Sequence, residues 1–304
     1  MATQDPVDPA TRNDPVRRGS VLAALSALAL AATNVLAPLV YSAGSNPPTV
    51  LMLRALATVV VIGAILILSG RLKMLSRRYE IHCVISGLLF MFAGFGLLNA
   101  LAIAPAGMVV LVLYLFPILT TLFDAIVNRR RPSFINILLL MLALLGLYLA
   151  LGGEGNGLSR QGFLLALLAA ISAAATLVWN NHMLGPVDPE QITFRMFLVS
   201  LVVFGTYVLF TANFALPSTS SGMAQLIFMS ACFAVAFTMM FRAVQMAGSV
   251  NAAMIMNLEP VITIILAFLI LSQTLNSRQA LGALLVIGAV MASQLGHKIP
   301  SKFK

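Results

Sequence analysis

Glu259 stands near the middle of 251–272, a run otherwise built almost wholly of Ala, Ile, Leu, Met, Val and Phe, and it is the side chain there with most capacity for chemistry. A carboxylate costs about 3 kcal/mol at the centre of a membrane helix on insertion scales, so it persists mainly where it faces protein or water. Pro260 follows it directly. Proline removes a backbone donor and leaves the carbonyl one turn earlier without its partner, which puts a kink and a second polar spot in hydrocarbon. Such an acid admits three roles: ligand for a substrate ammonium, carrier of a proton, or structural acid hydrogen-bonded at the kink. The earlier run 109–126 holds Pro117 in the corresponding place, with Phe116 where the acid would fall.

Polar or aromatic side chains far from helix ends are the other candidates, because facing outward they would meet lipid. Asn34, Tyr41, Asn99, Tyr114, Trp179, Asn180 and Asn257 qualify. Asn amides suit a carboxylate or an ammonium, and Tyr114 and Trp179 can stack on an apolar or aromatic group. Trp179 also offers a cation-π face. Singly, an aromatic at this depth is more simply explained as packing or as an interfacial anchor; as a set these residues suggest a pocket. Asn257 and Glu259 lie two residues apart, roughly 200° around an ideal helix, so they need not line one surface.

Arg54 and Arg195 form a matched pair near opposite faces, which suggests gates; snorkelling to the interface explains them more simply. Asp124 is expected to pair with the neighbouring run Arg129 to Arg131. The small-residue turns around Gly107 and Gly248, with Pro117 and Pro260, are hinge candidates or simple tight connections. No phosphate-binding Gly-rich loop, Gly-x-Ser-x-Gly or His-Glu-x-x-His occurs, and the three His residues are scattered. Cys83 and Cys232 have no metal-ligand spacing. Neither cofactor nor metal is expected, and an enzyme within the membrane is a distant alternative.

The positioning elements follow from composition. The 304 residues are 60% hydrophobic and 9% charged, with a mean hydropathy of +1.00. Apolar stretches of about 20 residues joined by short polar connections describe a polytopic helical membrane protein. Ten spans are predicted, at 19–43, 48–69, 80–103, 106–128, 133–152, 161–184, 190–212, 222–246, 249–272 and 276–296. The net charge of +9 is a topology signal here, not a sign of nucleic acid. Basic residues gather in the N-terminal tail, around 71–78, at 129–131 and in the C-terminal tail, so both termini are expected in the cytoplasm.

Shifting the chain by 143 residues lays Ala31, Ala32 and Thr33 on Ala174, Ala175 and Thr176, and Pro117 on Pro260. A shift of 141 lays Pro48 and Arg54 on Pro189 and Arg195. The expected organisation is a disordered cytoplasmic tail (1–18), two five-helix repeats (19–152 and 161–296) and a short cytoplasmic tail (297–304). Five spans is an odd number, so the second repeat must enter the membrane inverted, with a substrate held near the midplane. The fold class is therefore all-α integral membrane, ten transmembrane helices in two inverted-topology repeats.

Residues 100–117 (ALAIAPAGMVVLVLYLFP), their counterpart 243–260 (AVQMAGSVNAAMIMNLEP), and Gly146 and Gly288 in the last span of each half resemble the EamA-type proteins of the drug/metabolite transporter superfamily. The resemblance implies a secondary transporter in the bacterial inner membrane that exports amino acids, aromatic or other neutral ones, and related metabolites. Import of a nucleoside, sugar conjugate or vitamin on the same scaffold is the alternative. The partners it implies are a small-molecule substrate and the lipid bilayer, and a monomer is sufficient. The chain departs from the family pattern where a Gly-Glu pair is usual, reading Asn128, Arg129 and Ser272, Gln273.

Overall fold

Polar caps and prolines decide where the helices begin. Asn46 accepts the Thr49 N–H at 3.0 Å ahead of Pro47 and Pro48, and Asp188 accepts the Glu190 N–H at 2.9 Å ahead of Pro189. Each pairs a side-chain acceptor with a proline whose missing N–H costs nothing in the first turn. A computed structural model of the chain describes residues 9–129, 131, 134–151, 158–183, 187–248, 252 and 255–296. Its elements are α1 (Pro9–Ser42), α2 (Pro47–Leu68), α3 (Arg77–Ile103), α4 (Ala106–Leu113), α5 (Phe116–Val127) and α6 (Phe134–Leu151). They continue with α7 (Arg160–Met183), α8 (Pro189–Thr211), α9 (Ser220–Ala247), α10 (Glu259–Leu271) and α11 (Ser277–Gly296). Among the described residues there is no strand. Among the described residues seven stretches, Ala106–Val127 counted as one, are long and apolar enough to cross a membrane, and three shorter apolar helices accompany them. The chain is a multi-pass membrane protein.

Alanine stripes bring the long helices together. Ala23, Ala27 and Ala31 on α1 are fully buried, as are Ala166, Ala170 and Ala174 on α7, 143 residues further on. The four-residue spacing puts each set on one helix face, and such small side chains let backbones approach in a bilayer, where packing replaces the hydrophobic drive. The α1 face lies along α9, and the α7 face along α3. Ser26 donates to the Ala236 carbonyl across the first pair at 2.8 Å. Exchanging the halves maps one pair onto the other.

Two further contacts join helices in equivalent positions. The beginning of α2 meets the residues after α8 through Asn46 and Asn213, and its end meets the start of α8 through Arg71 and Glu190. The two helices are thus antiparallel neighbours. Likewise Gly146 on α6 abuts Leu285 and Val286 on α11, whereas Ala150, one turn later, abuts Gly282. These helices also run antiparallel.

The latches holding α2 to α8 differ in kind. At one end Arg71, just past α2, is bound to Asp188 and Glu190, and beside them Arg195 of α8 is bound to Glu80 of α3. At the other the partners are neutral: Asn46 with Asn213, Ser45 with the Ala215 carbonyl, and Ser218 with the Ala43 carbonyl.

Two expectations need correction. The tail expected to be disordered through residue 18 is helical from Pro9 onward as part of α1, while residues 1–8 and the tail 297–304 lie outside the described residues. Pro117 does not kink a continuous helix; α4 ends at Leu113 and α5 starts at Phe116, with a turn between. Gly146 packs closely against Gly282, whereas nothing lies within 4 Å of where a side chain at Gly288 would begin. Gly282→Val would drive its Cβ to 2.9 Å from the Ala150 Cα. An overpacking cost of about 1–3 kcal/mol is expected, read as a lower melting temperature in detergent, while Gly288→Ala leaves it unchanged.

Candidate functional site

The break between α4 and α5 has a twin. Leu115 N–H bonds to the Val112 carbonyl at 3.1 Å, and Leu119 N–H to Leu115 at 3.0 Å; in the second half Leu258 bonds to Ile255 at 3.0 Å and Ile262 to Leu258 at 2.9 Å. Each corresponding pair is separated by 143 residues, so the two turns are built alike. A proline in the second position of the following helix needs no donor there, and Pro117 and Pro260 both fill that position. In the second half the carbonyl deprived of its i+4 donor by Pro260 is that of Met256.

The breaks meet across the protein. The Tyr114 hydroxyl lies 3.1 Å from the Met256 carbonyl and 2.8 Å from Glu259 Oε2, while Asn34 Nδ2 on α1 donates to Glu259 Oε1 at 3.0 Å. Glu259 is 8% exposed, with Tyr114 and Asn34 both at 4%. The proline-freed carbonyl and the acid therefore share one phenol. That phenol has one proton: if it goes to Met256, the acid must itself donate to Tyr114, and if it goes to a carboxylate, Met256 is left without it.

This cluster lines a cavity of about 570 Å³. Asn34, Tyr114, Asn257 and Glu259 of the expected ligands border it, with Arg54 and Pro117 of the expected gate and hinge residues. Most of the remaining wall is apolar. Phe90, Phe116, Phe233 and Phe237 contribute aromatic surface, and Thr33, Thr120 and Thr121 add hydroxyls. Phe90, Phe233 and Phe237 pack with Phe197 in tilted and edge-on contacts 4.9–5.9 Å between centroids. Phe233 and Phe237 stand four apart on α9, a spacing that could have flagged them. With 18 Phe in the chain, the type alone does not single them out.

Four expected ligands are not on the cavity wall. Asn99 donates to the Phe95 carbonyl of its own helix at 2.8 Å. Trp179 donates to the His82 carbonyl at 3.1 Å and rests against the His82 ring, buttressing α7 on α3. Asn180 accepts from Ser86 and approaches Met196. Tyr41 lies outside the lining, its buried hydroxyl without a hydrogen-bond partner among the described residues. Trp179 and Asn180 are absorbed by helix packing because a polar side chain in a bilayer can be satisfied by a neighbouring helix as well as by cargo, and Asn99 is satisfied by its own helix.

The remaining expectations resolve locally. Gly107 is buried where α4 approaches Ile264 of α10, and Gly248 ends α9 with φ +82°, a conformation that favours glycine. Asp124 pairs with His182 at 2.8 Å; among the described residues neither Arg129 nor Arg131 joins it, and Arg130 lies outside them. Arg195 does not snorkel: Glu80 receives its Nε at 2.9 and 3.0 Å, and the Lys73 carbonyl receives Nη2 at 2.7 Å. Tyr114→Phe should strip the Met256 carbonyl and Glu259 of a shared buried donor, costing about 1–3 kcal/mol. Thermal unfolding in detergent checks this; Asn99→Ala, outside the cavity, is the comparison and should melt near wild type.

Comparison with known proteins gives a consistent assignment. A solved structure, described as the crystal structure of a protein, superposes with a TM-score of 0.63 at 20% identity, covering 93% of this chain and 99% of its own. At that identity the likeness is one of fold. No curated protein sequence matches the chain. The model of the EamA-like transporter family matches twice, over residues 17–152 and 160–293. The chain, matched over nearly its whole length, belongs to the EamA-like transporter family.

Proposed function

We propose that the chain is a secondary transporter exporting amino acids, aromatic or other neutral ones, and related metabolites by alternating access. The observation that carries this reading is the cavity where the two helix breaks meet: about 570 Å³, walled mainly by apolar and aromatic side chains, with a few convergent polar groups. Such a chamber suits a small molecule with an apolar body and a polar head. A sugar conjugate or nucleoside would bring more hydroxyls than the few polar lining residues can pair, which disfavours the import alternative. Family membership speaks for transport over catalysis.

Seven long and three shorter apolar helices accord with ten spans. The antiparallel pairs α2 with α8 and α6 with α11 accord with two repeats of opposite topology, 19–152 and 161–296. Both halves of a single chain border the cavity, so a monomer suffices. On this reading the protein lies in the bacterial inner membrane with both termini cytoplasmic, and binds no nucleic acid. Hinges at Gly107, Gly248, Pro117 and Pro260 would let the helices beside each break rock as units.

Glu259 holds the break in the second half together. Its shared donor, Tyr114, also favours a second role, since adding a proton to Glu259 rewires the bond to Met256. Counterflow of labelled Phe, Trp, Thr and Met into proteoliposomes, with and without a pH gradient, tests both readings. Saturable counterflow of Phe and Trp is expected; absence of flux for every amino acid, from folded protein, would overturn the proposal. Glu259→Gln is expected to keep counterflow and lose any gradient-driven accumulation. Accumulation that still follows the gradient would leave the acid its structural role alone.

A further inference from the structure

Arg54 is 4% exposed, yet no carboxylate or hydrogen-bond acceptor meets its guanidinium among the described residues. Phe233 covers one face of it at 4.4 Å from the ring centroid. Gly94 makes room at its edge, where a side chain would begin 2.8 Å from Nη2. Glu259 is the sole acid among the residues lining the cavity, but its oxygens are bonded to Asn34 and Tyr114, and no ion pair joins it to Arg54. The arginine in the equivalent place shows what a buried guanidinium takes on this scaffold. Arg195 has both oxygens of Glu80, the Gln191 side chain and the Lys73 carbonyl.

A ring face stabilises a guanidinium from above but leaves its in-plane N–H donors unpaired. A desolvated charge with idle donors is costly unless something supplies the acceptors. Those donors border the cavity, and their fork matches the two oxygens of a carboxylate. One cation among apolar walls suits a monoanion, whereas a phosphate dianion would retain uncompensated charge.

We propose that Arg54 is the carboxylate receptor of the cavity, and that the cargo must carry a carboxylate on an apolar or aromatic body. The proposal rests on the transport reading of the same cavity and names the group that selects its cargo. Capture requires the carboxylate and not the ammonium.

Equilibrium binding to the purified chain in detergent separates these demands with three probes: L-phenylalanine, 3-phenylpropionate, which lacks the ammonium, and 2-phenylethylamine, which lacks the carboxylate. Wild type should bind the two carboxylates at least about tenfold more tightly than the amine. Arg54→Gln should weaken both carboxylates by about tenfold or more and leave the amine unchanged, with Arg54→Lys recovering part of the loss. Arg54→Met guards against a folding artefact, and without ligand it should melt no lower than wild type, because it removes an unpaired charge.

Equal binding of the amine by wild type, equal weakening of all three probes, or no binding of any probe by folded protein would each overturn the assignment. The expected binding pattern without flux in proteoliposomes would uphold Arg54 as the receptor while removing the transport reading.

Discussion

A proline and a carboxylic acid side by side in an apolar interior create two polar debts at one point, and the surrounding structure is arranged to meet both. Pro260 withholds a donor from the Met256 carbonyl, and Glu259 brings two oxygens that lipid cannot satisfy. Tyr114 reaches both from the break in the other half, and Asn34 arrives from α1. Those bonds require α4 to stop where it does, since Tyr114 caps it, and require α1 to lie close to α10. The interior is therefore fixed by a few hydrogen bonds whose loss would leave buried groups without partners. The cavity is the space left around them.

Repetition built the frame, and departures from it built the site. The matching alanine stripes, paired turns and second-position prolines are common to both halves. The cavity chemistry comes from the places where they disagree: Glu259 against Phe116, Asn257 against Tyr114, and the cavity-facing Arg54 against Arg195, which is tied to Glu80. A duplicated scaffold makes such differences informative, because the matched residue serves as an internal reference for what local packing alone demands.

The sequence displayed the apolar spans, the 143-residue repeat and the importance of the Glu-Pro pair, because each is written in local periodicity or spacing. The start of α1 was misplaced since 9–18 is polar, and polarity does not forbid a helix. The bond from Tyr114 to Glu259 joins residues 145 apart. Trp179, Asn180 and Asn99 looked like ligands because their type was visible while their neighbours were not. Conversely, Phe233 and Phe237 were hidden by resemblance to ordinary membrane side chains, and their place on the wall depends on how α9 is rotated against α2 and α1.

The α2 and α8 pair also carries an asymmetry that the repeat does not impose. One end is fastened by guanidinium and carboxylate, the other by amide, hydroxyl and peptide groups. Mobile ions screen the first kind of bond and scarcely touch the second. The Arg71 side chain is 37% exposed, so raised ionic strength loosens the charged end of the pair before the neutral one.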